Sequence, residues 1–136
     1  MKLITRSTEE TYALATSVAK ELNGGEVILL NGNLGAGKTT FTKGLALALG
    51  VQKTVVSPTF TIIKEYKGDK LHLYHIDMYR LEDDDELEEL GVDELFRDDS
   101  VVVIEWNRAT VLPKKVIKID IEVIDPTTRG WEVQGI

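Results

Sequence analysis

Apolar and polar positions in this chain of 136 residues follow two periods, one helical and one strand-like. Lys2 to Thr5 reads as a short edge strand. Ser7 and Glu10 then have the spacing of a capping box, which opens a helix with the face Tyr12, Ala15, Ala19 and Leu22. Asn23-Gly24-Gly25 closes it. Glu26 to Asn31 is an apolar run with the character of a buried parallel strand. Phe41, Leu45, Ala48 and Leu49 return to helical spacing, with Gly50 placed as the stop.

The second half reads mostly as strands. Thr61 to Lys67 and Lys70 to Asp77 are joined by Gly68-Asp69, which predicts a hairpin with a two-residue turn. Leu81, Leu87, Leu90 and Leu95 lie among nine acids and predict short amphipathic helices broken at Gly91. Val101 to Glu105 is a buried strand ending in an acid, and Asn107 to Pro113 is a loop. Lys115 to Ile121 alternates like a strand with one wet face. Asp125-Pro126-Thr127-Thr128 turns the chain into a last short strand, Trp131 to Ile136, and Arg129 at that turn reads as an exposed cation. The expected fold is α/β: a single P-loop NTPase-type domain over residues 1–136, with a mixed, mostly parallel central sheet, flanking helices and an antiparallel hairpin.

The chemistry concentrates between the first strand-loop-helix elements. Gly32-Asn33-Leu34-Gly35-Ala36-Gly37-Lys38-Thr39 has two glycines five residues apart followed by Lys-Thr, the pattern of a loop that cradles phosphates. Its glycines let backbone N–H groups converge on an anion. Lys38 can reach the outer phosphates, and the Thr39 hydroxyl can ligate Mg²⁺. The helix beginning at the lysine adds its positive end. Strand, loop and helix in that order predict a nucleoside-triphosphate site, with Ser7 or Thr8 as possible neighbours of the nucleotide.

Two acids stand at strand ends. Asp77 is a candidate to hold Mg²⁺ or orient water, and Glu105 occupies a Walker B position with Glu for the commoner Asp. Trp106 follows, either packing or shielding the site. The hydroxyl-rich Ser57-Pro58-Thr59-Phe60-Thr61 reads equally as a switch segment or a plain connection. His72 and His75, without a third ligand at a recognisable spacing, read as packing or hydrogen-bonding residues.

Composition narrows the partners. A net charge of −7 argues against free-standing nucleic-acid binding, while leaving room for a role through a more basic partner. The absence of cysteine excludes disulfides and thiolate zinc sites. No apolar run has membrane-spanning length and no secretory signal is visible, so the expected location is the cytoplasm.

Taken together, the phosphate loop with Thr40 and Phe41, the Ser57–Thr61 segment, His75-Ile76-Asp77-Met78-Tyr79-Arg80-Leu81 and Glu105-Trp106 closely resemble the TsaE (YjeE) family of bacterial ATPases. The resemblance runs from the N-terminal helix to the Arg129-Gly130 turn. It implies a Mg-dependent ATPase needed for the threonylcarbamoyladenosine modification of tRNA position 37. It further implies docking on a TsaB–TsaD complex. The residues themselves offer no obvious arginine finger beyond Arg80 or Arg108, so slow hydrolysis in isolation and activation by the partner complex are expected.

By the same resemblance Gly35, Ala36, Gly37, Lys38, Thr39, Thr40, Thr59 and Trp106 bind ATP, and Thr39 and Glu105 hold Mg²⁺. Lys38, Asp77 and Glu105 carry the catalysis. The family often has proline after Glu-Trp, where Asn107 stands here. Two other classes fit the residues alone. A small-molecule kinase shares the phosphate loop but should carry an arginine-rich lid, and a switch module would bind nucleotide without turning it over.

Overall fold

The computed structural model describes residues 1–33, 35–57 and 62–136. Within them the chain forms β1 (Lys2–Thr5), α1 (Thr8–Ala19), β2 (Val27–Asn31), α2 (Lys38–Ala48), β3 (Ile63–Lys67) and β4 (His72–Asp77). There follow α3 (Asp84–Leu90), a 3₁₀ turn (Val92–Leu95), β5 (Ser100–Glu105), β6 (Val116–Asp125) and β7 (Thr128–Gln134). The strands form one sheet in the order β1-β7-β6-β2-β5-β4-β3. Its centre, β6-β2-β5-β4, is parallel, and antiparallel pairs flank it on both sides. The expected mixed α/β sheet with an antiparallel hairpin is therefore present, its parallel character confined to the middle.

Alternation along the central strands divides the core between two faces. Ile28 and Leu30 of β2, Val101 and Val103 of β5, and Ile117, Ile119 and Ile121 of β6 face α1 and α2. Val27, Val102, Ile104, Tyr74 and Ile76 face a cover made of Leu81, Val92 and the partly buried Leu87 and Leu90. Central strands covered on both faces must be apolar at every position, which is why β2 and β5 read as continuous apolar runs. Phe41 of α2 is fully buried and meets the Trp131 ring of β7 at 5.5 Å between centroids. Burying a side chain of this size contributes about 1.5–3 kcal/mol.

Several boundaries differ from the sequence expectation. Helix α1 buries Thr11, Leu14, Ala15 and Val18, whereas Tyr12 and Ala19 are only half-buried. It ends at Ala19, because the buried Glu26 carboxylate accepts the N–H groups of Asn23 (2.9 Å) and Gly24 (2.8 Å) and holds the following loop apart from the helix. In α2 it is Ala46 that is buried and Ala48 that is exposed, since α2 packs along α1 while its Phe41, Leu45 and Ala46 join the core cluster with the sheet.

The β3–β4 hairpin closes at Lys67 and His72, giving a four-residue connection in place of the expected two. Asp69 N–H donates to Leu49 O (2.9 Å) at the end of α2, which draws the loop off the ladder. Strands β6 and β7 run past the expected limits and meet at a tight turn between Asp125 and Thr128. Glu122 to Asp125 are exposed, so no alternation marks that stretch in the sequence.

Gly44 sets the distance between the two helices. A Cβ there would stand 2.9 Å from Tyr12 Cδ1 and 3.0 Å from Ala15 Cβ. Gly44→Val should therefore lower the unfolding free energy by roughly 1–3 kcal/mol despite removing a helical glycine, the cost of overpacking. Urea denaturation measures it.

Candidate functional site

Three parallel strands end together. Leu30 of β2 pairs with Glu105 of β5, and Glu105 in turn pairs with Asp77 of β4. The phosphate-type loop leaves β2 two residues after Leu30, so loop, Asp77 and Glu105 emerge at one edge of the sheet. A cleft of about 260 Å³ lies there, lined by Gly35, Gly37, Lys38, Thr39, Thr40, Ser57, Asp77, Glu105 and Trp106. Nearly every residue singled out in the sequence is thus brought to one place. Ala36 is buried behind the loop, and Thr59 lies outside the described residues.

The loop takes its shape from two glycines with different jobs. Gly37 has φ +108°, a left-handed conformation at the head of α2 that an L side chain rarely adopts. At Gly32 the constraint is space, because a Cβ would lie 3.1 Å from Ala36 Cβ and 3.2 Å from Ile121 O. Ala36 N–H closes a turn on Asn33 O at 3.0 Å.

Arg129 holds the loop from outside. Its Nε–H donates to Ala36 O at 2.8 Å and its Nη2 to Gly35 O at 3.4 Å. Nη1 donates to Asp125 O at 2.8 Å and Thr128 O at 3.1 Å, tying the same guanidinium to the β6–β7 turn. The C=O and the next N–H of a trans peptide point in opposite directions. Arg129 on the Ala36 carbonyl therefore turns the Gly37 N–H away from itself. The sequence reading of Arg129 as an exposed cation is corrected: it is a half-buried clamp. Only the antiparallel β6–β7 pairing carries it across to a loop more than ninety positions earlier. The turn is stiffened in turn by Asp125, whose carboxyl is held below its usual range, first by the Thr127 backbone N–H and next by the Thr128 hydroxyl.

Inside the cleft, Lys38 and Glu105 are both buried, with Nζ 3.6 Å from Oε1. Lys38 Nζ also lies 4.2 Å from the centroid of the Trp106 ring, a cation–π arrangement. Trp106 reaches that position with φ +56°, turning sharply off the end of β5. Tyr79 packs against the same ring, centroids 5.1 Å apart. Asp77 Oδ1 accepts the Tyr79 N–H at 2.9 Å, bending the chain where β4 ends. Trp106, read from the sequence as either packing or shielding the site, stands in the cleft lining with its ring against Tyr79 and Lys38.

Sequence reasoning missed His75 as part of this group. His75 is fully buried, and its Nε2 hydrogen-bonds Glu105 Oε2. Its position two residues before Asp77 on one strand, hence on the same face, was the available signal. His72, three residues before His75, lies on the opposite face. Among the described residues no group of three or more His, Asp and Glu could hold a metal.

A second cleft, about 320 Å³, shares Gly37 and Thr40 with the first and is bordered by Arg6, Ser7, Thr8 and Arg129. It brings Ser7 and Thr8 beside the loop. A larger groove of about 710 Å³ runs along β1, β6 and β7, and its lining includes neither the loop glycines nor the strand-end acids.

Arg129→Ala removes a charged donor from two loop carbonyls, an interaction of the class that contributes about 1.5–3 kcal/mol. Amide exchange at Gly35 to Gly37 should accelerate accordingly, while the core strands β2 and β5 keep their protection. Hydrogen exchange followed by NMR distinguishes the two regions.

Comparison with known proteins agrees with this geometry. The family model described as "Threonylcarbamoyl adenosine biosynthesis protein TsaE" matches residues 5–130. A Bacillus subtilis (strain 168) protein named "tRNA threonylcarbamoyladenosine biosynthesis protein TsaE" is 53% identical over 106 residues, covering 78% of this chain and 66% of the relative. The chain thus spans just under two thirds of that relative's length. Proteins of the same name from Treponema pallidum (strain Nichols) and Aquifex aeolicus (strain VF5) are 41% and 44% identical, over 91% and 94% of this chain and 93% and 91% of theirs. The crystal structure of Bacillus subtilis YdiB superimposes with a TM-score of 0.79 at 40% identity, over 96% of this chain and 82% of that one. With its sheet order, its phosphate-type loop and the strand-end acids in register, the chain belongs to the TsaE family.

Proposed function

We propose that the protein binds Mg-ATP across the two clefts and hydrolyses it in support of the threonylcarbamoyladenosine modification of tRNA. The observation that carries the reading is the common edge at which Lys38, Thr39, Asp77 and Glu105 converge on the glycine loop. The adenosine end lies in the cleft bordered by Ser7, Thr8 and Arg129, and the phosphates pass Gly37 and Thr40 into the cleft that holds the acids. Gly37 N–H and the head of α2 face the phosphates.

The donors fit magnesium. Thr39 offers a hydroxyl and Glu105 a carboxylate, hard oxygens of the kind Mg²⁺ takes. So small a protein donor set suits an ion that keeps several waters and binds phosphate oxygens besides. Mg²⁺ bound there would neutralise charge on the phosphates.

The remaining work belongs to the chain's own residues. Lys38 moves from Glu105 to the outer phosphates, a short transfer because both acceptors border one cleft. Trp106 covers Lys38 and limits water around it. Asp77 faces the same cleft and orients the attacking water. Phosphoryl transfer of this type needs positioning and charge stabilisation above all. Arg108 is held by the Leu81 carbonyl and Arg129 by the loop carbonyls, so neither is poised on the phosphates from within the chain. With these two arginines engaged elsewhere, the reading is completed by slow turnover alone and activation by a partner, which in this family reading is the TsaB–TsaD pair.

The test is phosphate release from Mg-ATP by wild type, Lys38→Ala and Glu105→Ala, each with and without TsaB–TsaD. Wild type should be accelerated by the pair, and each substitution should reduce turnover by about 10²-fold or more, as loss of one preorganised charge contact does. Equal rates with and without the pair overturn partner activation. Nucleotide binding without any release under either condition replaces the ATPase by a switch module.

A further inference from the structure

We propose that His75 is a positioning residue: it holds Oε2 of Glu105 and thereby presents Oε1 to Lys38 and to the metal. The inference rests on the reading of Glu105 as a Mg²⁺ ligand and adds the residue that aims it.

His75 sits inside the sheet–helix layer with no exposed surface. In the β4–β5 ladder it pairs with Val103, one same-face step behind the pair Asp77–Glu105. Its ring therefore reaches forward beneath the Glu105 carboxylate. Nε2 meets Oε2 there, while Nδ1 is buried without a hydrogen-bond partner among the described residues. A proton on Nδ1 would be a buried donor with nothing to receive it, a costly state. The ring proton therefore belongs on Nε2, where the carboxylate accepts it, and the bare Nδ1 faces the apolar layer.

The two oxygens of Glu105 thus have different partners. Oε2 is taken by His75 and Oε1 lies 3.6 Å from Lys38 Nζ. The terminal torsion of a glutamate is broad and does not by itself choose an orientation. The His75 hydrogen bond makes that choice. Without it Oε2 would be a buried acceptor lacking its donor, and the carboxylate would turn to share both oxygens with Lys38. Lys38 would then be harder to release, and the oxygen facing the cleft would no longer be defined. With it, Glu105 offers Mg²⁺ one oxygen in one direction, as the strict octahedral preference of this ion demands.

The experiment measures the affinity of the full chain for a fluorescent ADP analogue as a function of free Mg²⁺, and again in EDTA. The variants are His75→Leu, His75→Asn, His75→Gln and Glu105→Gln. Leu and Asn remove the donor from Oε2, whereas the longer Gln can carry an amide N–H to it. His75→Leu and His75→Asn should raise the Mg²⁺ midpoint about 10-fold or more, the usual size of losing a group that orients a metal ligand. Affinity in EDTA should stay at the wild-type value, and His75→Gln should recover part of the shift.

A purely structural role would lower stability without separating the Mg²⁺-dependent from the EDTA affinity. Should His75→Leu fail to fold, His75→Asn decides the matter. A midpoint within about two-fold of wild type in the folded donor-less variant, with Glu105→Gln shifted, overturns the role of His75 and leaves Glu105 as ligand. An unshifted Glu105→Gln overturns the metal role of Glu105 and this inference with it.

Discussion

The register of the central parallel ladders is the constraint on which the rest of the molecule depends. Leu30, Glu105 and Asp77 stand level across β2, β5 and β4. A slip of one residue in any ladder would send an acid to the opposite face, since side chains alternate strictly. The slip is prevented by burial on both faces: Val101 to Ile104 are all fully buried, and a shift would exchange two differently shaped layers. The hydrophobic core thus acts on the chemistry directly, by deciding which side chains share the cleft with the glycine loop.

The cleft runs against the economy of that core. Lys38, Glu105 and His75 are buried ionisable groups beside a core built mainly of apolar side chains. Removing an ion from water costs on the order of several kcal/mol even after relaxation. Here the cost is offset by mutual pairing, by the Trp106 ring over Lys38 and by the His75 donor on Glu105. An ion pair of this kind contributes little to stability, but it keeps a lysine and an acid within reach of each other. The left-handed φ of Trp106 belongs to the same account, because it swings the ring off the strand and over the lysine. Strain and buried charge cluster where the fold does something other than fold.

The C-terminal hairpin is as much part of the site as the loop. Through Arg129, β7 fastens the outer carbonyls of Gly35 and Ala36 and also borders the cleft beside Ser7 and Thr8. Segments from both ends of the chain meet at one loop, and β1 pairing with β7 makes the meeting possible. The family match, which extends to residue 130, includes this arginine.

By itself the sequence determined whatever is local. Ser7 caps α1 and α2 begins at Lys38 because capping groups and glycines act within a few residues. The apolar runs of β2 and β5 are legible because both of their faces are buried. For the same reason the candidate residues Lys38, Thr39, Asp77 and Glu105 could be named in advance: each stands at the end of an element whose own pattern marks that end. Tertiary structure alone decided who meets whom. The four-residue hairpin loop follows from Asp69 finding Leu49, the extended β6–β7 arm from pairing of the strand ends beyond the core, and the role of Arg129 from a contact across 93 positions. His75 carries the same lesson, since its hydrogen bond to Glu105 joins residues 30 positions apart. Periodicity reports a neighbour's burial through the composition of one's own face, but it carries no record of which partner a polar side chain reaches across a sheet.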